Sequence, residues 1–366
     1  MKFALFDAPL MAVRLAHRAP RIDSKSCRLD WPELYRRNLR RAGPGNRGKP
    51  MSGPVLIYAD NAEALAGSLR ARRPGETVHA VDRAEALPAA LAAHRPEAVF
   101  AIKSMALGPE THRPILDCGS VCWLHVGGSG YEHVAGWDPG RITLTNCAGL
   151  LAPFLAETVI GALLALNCGL IRYHAQQGER LWQPHAFRPL AGQTLLVVGA
   201  GSIGGEVAKR ASGLGMRVIG LRRSGTPVAG VDEMRPPEAL AASLAEADAV
   251  SLHLRLTPDT EGLFDAAMIG AIKPGAIFIN TARGGHVVAG DLLAALESGH
   301  LRGAYLDVFE TEPLPPASPL WSAPNLLISP HAADGVADWE ARFAALFAEN
   351  LAHWRAGRAL RNVVTG

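Results

Sequence analysis

The chain has 366 residues, 48% of them apolar and 19% charged, with a formal net charge of +3. This length suits about two domains and needs no disulfide or metal staple, and the composition excludes a wholly disordered or collagen-like chain. Residues 1–50 hold 12 of the 37 Lys and Arg but only 4 of the 34 Asp and Glu, so residues 51–366 carry a small negative surplus and give no support to a nucleic-acid partner.

Residues 1–50 are basic, Gly/Pro-rich towards their end and without a sustained period. We expect an N-terminal extension outside the fold, poorly ordered, with an Arg-rich transit segment as the alternative. Asp7 and Pro9 interrupt the apolar start before it reaches the length of an export signal. From Val55 the pattern alternates. Strands are predicted over 55–59, 77–81, 98–102, 121–126 and 142–146, with helices over 63–72 and 84–94. Such alternation argues for a parallel α/β sheet.

A helix is predicted over 153–177, started by Pro153 and apolar nearly all round. As one piece it would span roughly 35 Å. Pro153, Glu157 and Asn167 lie in or beside its apolar stretch, which favours a helix buried at a domain or subunit interface over a membrane span. A second alternation follows, with strands predicted over 195–199, 217–221, 249–252, 276–280, 303–308 and 326–329. Helices are predicted over 202–214, 236–246, 265–272 and 289–298, and a last one over 337–355. Six strands with intervening helices make a doubly wound dinucleotide sheet. The expected class is therefore α/β, with two parallel-sheet units.

The five cysteines, Cys27, Cys118, Cys122, Cys147 and Cys168, form no C-x-x-C pair. No zinc or thioredoxin-like site is indicated and no metal is expected. Reduced thiols in a cytoplasmic protein are the reading, with a Cys118–Cys122 bridge as the alternative.

The strongest local signal is Gly199-Ala200-Gly201-Ser202-Ile203-Gly204, directly after an apolar strand and opening a helix. Glycines there allow a tight turn, close approach of a pyrophosphate and close helix–strand packing, and the helix N-terminus offers free N–H groups. An NAD site usually has Asp or Glu about 20 residues on, at the end of the next strand. Here stand Arg222, Arg223 and Ser224, with no carboxylate before Asp232. Two guanidinium groups and a hydroxyl suit a 2′-phosphate, so NADP(H) is expected over NAD(H).

Three further segments carry reactive groups: Asn280-Thr281-Ala282-Arg283, Asp307-Val308-Phe309-Glu310-Thr311-Glu312, and Ser329-Pro330-His331. Arg, carboxylate and His form the set needed to reduce a 2-keto acid. Arg283 would bind the carboxylate and polarise the keto oxygen, His331 would supply the proton, and Glu312 would orient the imidazole.

At this point the chain resembles the D-isomer-specific 2-hydroxyacid dehydrogenase family. The resemblance runs from about residue 54 to 364 and is dense over 190–333, where it includes Leu256-Thr257-Pro258-Asp259-Thr260-Glu261-Gly262-Leu263, Ile272-Lys273-Pro274-Gly275-Ala276 and Pro319-Leu320-Trp321. It implies Arg283, Glu312 and His331 as the catalytic set. It implies Gly128, Ser129 and Gly130 as the loop whose N–H groups hold the substrate carboxylate. It also places Asp307 near the nicotinamide carboxamide and Thr281 in the cofactor site. The implied division is a flavodoxin-like substrate domain over 51–152, completed by 334–366, and a Rossmann cofactor domain over 153–333, with the active cleft between them. A homodimer involving the helix at 153–177 is implied too.

Within the family, the Arg-bearing second strand and the loop Gly127-Gly128-Ser129-Gly130-Tyr131 are similar to those of glyoxylate/hydroxypyruvate reductases, so the expected reaction is reduction of a small 2-keto acid by NADPH. An NAD-dependent, phosphoglycerate-like dehydrogenase and a non-enzymatic, dinucleotide-sensing corepressor are the alternatives. One departure is Arg255, where the family usually has Pro. It could add a positive group near a 2′-phosphate or be merely exposed. Lys103, ending the strand over 98–102, could line the cleft or be solvated.

Overall fold

In the computed structural model, residues 52–104, 107–134 and 136–365 are described; the basic stretch 1–50 lies outside the described residues. Strands β1 (Val55–Tyr58), β2 (Val78–Val81), β3 (Ala98–Ala101), β4 (Trp123–Val126) and β5 (Thr143–Asn146) pair in parallel in the order β2-β1-β3-β4-β5. Helices α1 (Ala62–Arg72), α2 (Leu87–His94) and α3 (Arg113–Asp117) connect them. This is the flavodoxin-like strand order, whose ligand crevice lies outside the carboxyl ends where the winding reverses. α3 and the 3-10 turn Pro109–His112 before it have no counterpart in the sequence reading.

The predicted long helix is two helices, α4 (Ala152–Asn167) and α5 (Leu170–Gly178), set at 63°. Gly169 takes φ 71° and ψ 26°, a left-handed conformation that stops α4 after Cys168. No single helix among the described residues is long and apolar enough to cross a membrane. α4 instead buries Leu155, Ala156, Val159 and Leu163 against the second sheet, among Leu195, Val197 and Ile277.

That sheet has seven strands rather than six. It comprises β6 (Thr194–Val198), β7 (Arg217–Leu221), β8 (Glu233–Arg235), β9 (Ala249–Leu252), β10 (Ala276–Asn280), β11 (Leu301–Leu306) and β12 (Leu326–Ile328), ordered β12-β11-β10-β9-β6-β7-β8 and all parallel. Every residue of β6 and β10 is buried, as expected of strands covered on both faces. β8 is a three-residue edge strand, Glu-Met-Arg, with no apolar run to reveal it. Between the strands lie α6 (Ser202–Gly213), α7 (Leu240–Glu246), α8 (Ala266–Gly270) and α9 (Ala289–Glu297).

The last helix, α10 (Trp339–Arg355), returns to the first sheet. Phe343, Phe347 and Leu351 pack among Val55, Phe100 and Trp123. Burying a side chain of this size contributes about 1.5–3 kcal/mol. The chain beyond α10 then ties to β5, where Val364 N–H donates to the Leu144 carbonyl at 2.8 Å.

Candidate active site

The seven-stranded sheet reverses its winding between β6 and β9, which opens a crevice at their carboxyl ends. Gly199 follows β6 with φ 101°; a Cβ there would lie 2.5 Å from the His253 carbonyl oxygen. At Gly204 a Cβ would lie 2.8 Å from Val197 Cγ1, so α6 packs directly on β6. Gly201 differs: nothing lies within 4 Å of its Cβ position. The open space is in front of α6, whose first turn has no side-chain cap and whose first residues are Ser202 and Ile203.

Two buried polar atoms beside this crevice, Thr281 Oγ1 and His253 Nδ1, lack a partner among the described residues. Burial pushes the His253 imidazole down to about 3, so it is neutral. An open cradle at Gly201, an uncapped helix N-terminus and an orphan hydroxyl fit a dinucleotide.

Arg222 is half-buried just past β7, while Arg223 and Ser224 are exposed. Among the described residues no carboxylate pairs with Arg222 or Arg223. Their neighbours behave differently: Arg217 and Arg235 both pair with Glu233 and Glu246. Asp232, the first carboxylate after the strand, is also engaged, accepting the Val218 N–H at 2.8 Å.

Arg283, Glu312 and His331 follow β10, β11 and β12, three adjacent strands, so the chain brings them to one sheet edge. His331 Nδ1–H donates to Glu312 Oε2 at 2.8 Å, and Phe309 N–H donates to Glu312 Oε1 at 2.9 Å. The hydrogen bond to Glu312 holds the His331 imidazole above the ordinary histidine value, against the effect of burial. Burial by itself would raise Glu312, but the hydrogen bonds from His331 and Phe309 outweigh it and hold the carboxyl below its ordinary value. With Nδ1 fixed, Nε2 is the nitrogen left to exchange a proton.

His331 takes φ 51°, an uncommon conformation for a non-glycine residue. Asp307 explains how it is kept. Its carbonyl accepts the His331 N–H at 2.8 Å. Its buried carboxylate accepts from Ser329 Oγ at 2.5 Å, Ala332 N–H at 2.8 Å and Ala333 N–H at 3.1 Å. The resemblance implies a nicotinamide contact for Asp307; in the structure its carboxylate anchors the loop that carries His331, a role sequence reasoning missed.

Arg283 faces the loop at Gly128, Ser129 and Gly130. A Cβ on Gly130 would run into its guanidinium. Asn146 Nδ2 donates to the Ser129 carbonyl and Cys147 N–H to the Gly128 carbonyl, each at 2.8 Å. Because peptide planes set N–H opposite C=O, the amides of Ser129 and Gly130 point away from those two residues.

The sequence also gave no sign of Glu132, whose Oε2 lies 3.5 Å from Arg283 Nη2. Burial would raise the Glu132 carboxyl, but Arg283 wins and holds it low. Arg255 Nη1 donates to the Tyr131 hydroxyl at 2.6 Å. Lys103 is exposed, and its charge is felt by Glu312.

Comparison with known proteins agrees with this geometry. The family model for the D-isomer specific 2-hydroxyacid dehydrogenase NAD binding domain matches residues 160–333. The chain is 36% identical over 233 residues to a glyoxylate reductase of Korarchaeum cryptofilum, covering 61% of this chain and 69% of that one. Its fold is similar to a D-isomer specific 2-hydroxyacid dehydrogenase family protein of Aeromonas salmonicida, with a TM-score of 0.76, 33% identity, and coverage of 86% of this chain and 99% of that chain. The chain belongs to the D-isomer-specific 2-hydroxyacid dehydrogenase family.

The dehydrogenase is thus an oxidoreductase that acts on a CH–OH donor with a nicotinamide dinucleotide. It is also similar to the NADPH-dependent glyoxylate/hydroxypyruvate reductase of Sinorhizobium meliloti, solved with NADP and sulfate, at a TM-score of 0.72 and 28% identity over 85% of this chain and 98% of that one.

Proposed function

We propose that the enzyme reduces glyoxylate, hydroxypyruvate or a closely similar 2-keto acid to the D-2-hydroxy acid, with NADPH as the preferred cofactor. The observation that carries this is the convergence of Arg283, the Glu312–His331 pair and the loop at 128–130 across one cleft. Arg283 and the amides of Ser129 and Gly130 hold the substrate carboxylate and polarise the keto oxygen. His331 delivers its Nε2 proton to that oxygen, and Glu312 stabilises the imidazolium beforehand. Bound NADPH supplies the hydride.

For the cofactor, Gly199, Gly201, Ser202, Ile203 and Gly204 form the pyrophosphate turn. Arg222, Arg223 and Ser224 are the 2′-phosphate clamp, supported by the absence of carboxylate partners for both arginines among the described residues and by the engagement of Asp232 elsewhere. Thr281 and Asp307 serve the nicotinamide end. The division into a substrate domain of 51–152 plus 334–366 and a cofactor domain of 153–333 is supported by the packing of α10 on the first sheet. A homodimer is supported by exposed Leu170, Leu181, Trp182 and Phe187 on and after α5. The four described cysteines are all free, which suits a reducing cytoplasm.

The test is product stereochemistry: hydroxypyruvate and NADPH are incubated with the enzyme and the glycerate is resolved by chiral chromatography. D-glycerate supports the reading; L-glycerate overturns it, as does the absence of glycerate together with no conversion of glyoxylate to glycolate, which is achiral.

A further inference from the structure

Two arginines of the seven-stranded half grip consecutive residues of the other half. Arg283 meets Glu132 at 3.5 Å, and Arg255 meets the Tyr131 hydroxyl at 2.6 Å with its guanidinium carbon 6.0 Å from the ring centroid. The two contacts differ in what the substrate does to them. In the proposed reaction a 2-keto acid carboxylate would take the place of Glu132 on Arg283, whereas nothing in that reaction calls on Arg255 or Tyr131. We infer that Arg255 is a positioning residue, which holds the substrate loop on the cofactor half when Arg283 releases Glu132. This rests on the reading of 128–130 as the substrate loop.

The Tyr131 ring and the backbone that carries Arg255 are both braced, while the Arg255 side chain itself is exposed. Tyr131 packs edge-on against Trp137, whose Nε1–H donates to the Ile142 carbonyl at 2.9 Å. On the other side, the Arg255 carbonyl accepts from Thr260 Oγ1 at 2.8 Å. The ring nitrogens of buried His286 lie 3.0 Å and 3.2 Å from the carbonyl oxygens of Thr260 and Leu254, flanking Arg255. A charge-assisted hydrogen bond between two braced segments sets their spacing. The expected worth is about tenfold in affinity for a ligand that needs that spacing. Pro, the residue the family usually has at this position, could not make the contact.

The experiment compares wild type, Arg255→Met, Tyr131→Phe and the double variant. Steady-state kinetics give the hydroxypyruvate KM and kcat, and fluorescence titration gives the NADPH Kd. The expected result is a KM raised about tenfold in each single variant, with kcat and the NADPH Kd within about twofold of wild type, and a double variant no worse than Arg255→Met. A raised NADPH Kd with unchanged KM would make Arg255 a cofactor contact and overturn the inference. Multiplying effects in the double variant, or no change in any, would overturn it as well. Wild type that turns over no 2-keto acid would instead remove the functional reading on which the inference rests.

Discussion

Nδ1 of His331 lies 2.8 Å from Oε2 of Glu312, and Oε1 of the same carboxylate accepts the Phe309 N–H at 2.9 Å. Glu312 is therefore fixed by the backbone before it fixes the imidazole. The proposed reduction needs His331 protonated, and its pKa is raised by that contact. The proton is present below the folded-state pKa and lost as pH rises through it. In Glu312→Gln the support disappears, so the alkaline limb of kcat/KM for reduction should move to lower pH. A profile that keeps its limb in place would show that Glu312 does not tune His331. His331→Gln should lower kcat by about 10²–10⁴-fold, the usual contribution of general acid–base catalysis.

Glu132 Oε2 lies 3.5 Å from Nη2 of Arg283, the guanidinium we propose to hold the substrate carboxylate. Glu132→Gln should weaken that competition and lower the KM for glyoxylate and hydroxypyruvate several-fold, with little change in kcat. A raised KM would show that Glu132 orients Arg283 for the substrate rather than competing with it. Arg283→Ala should lower kcat/KM by about 10²–10³-fold while the NADPH Kd barely moves, since we propose that it acts on the keto acid and not on the dinucleotide. Equal losses in both quantities would argue that Arg283 holds structure.

Arg222 and Arg223 have no carboxylate partner among the described residues, so removing them costs no internal ion pair. Arg222→Ala/Arg223→Ala should lower kcat/KM with NADPH at least about tenfold, equivalent to about 1.4 kcal/mol. The value with NADH should hold or rise. A parallel fall with both cofactors would mean that the loop itself has been damaged.

Trp182 is 97% exposed beside Leu181, an arrangement that a folded surface seldom keeps without a partner. Trp182→Asp should shift sedimentation from dimer towards monomer with the cofactor half still folded by circular dichroism. A wild type that sediments as a monomer would remove the dimer proposal.

The alternation of strands and helices was readable because each buried parallel strand is a short apolar run, as in Leu195-Leu196-Val197-Val198. The glycine turn was readable because its chemistry is local. β8 was not, because an edge strand of Glu-Met-Arg has no apolar signature. The break in the long helix was missed because a glycine costs a helix interior only about 1 kcal/mol and so does not by itself end one, whereas Gly169 takes the left-handed conformation that does. The contacts across the cleft were beyond reach for another reason. Arg255 and Tyr131 are 124 residues apart, and Arg283 and Glu132 are 151 apart. No spacing rule links them; only the folding of two sheets against each other does. The anchoring of His331 by Asp307 depends in the same way on strand order rather than on motif.

Parallel kcat/KM measurements with the two cofactors decide whether the enzyme is an NADPH-dependent 2-keto acid reductase. Purified enzyme is given glyoxylate or hydroxypyruvate, and the loss of NADPH and of NADH is followed by absorbance. The account predicts turnover of at least one of the two acids with at least about a tenfold preference for NADPH. Preference for NADH would contradict the assignment of Arg222 and Arg223, and absence of turnover with either cofactor would contradict the assignment of the substrate.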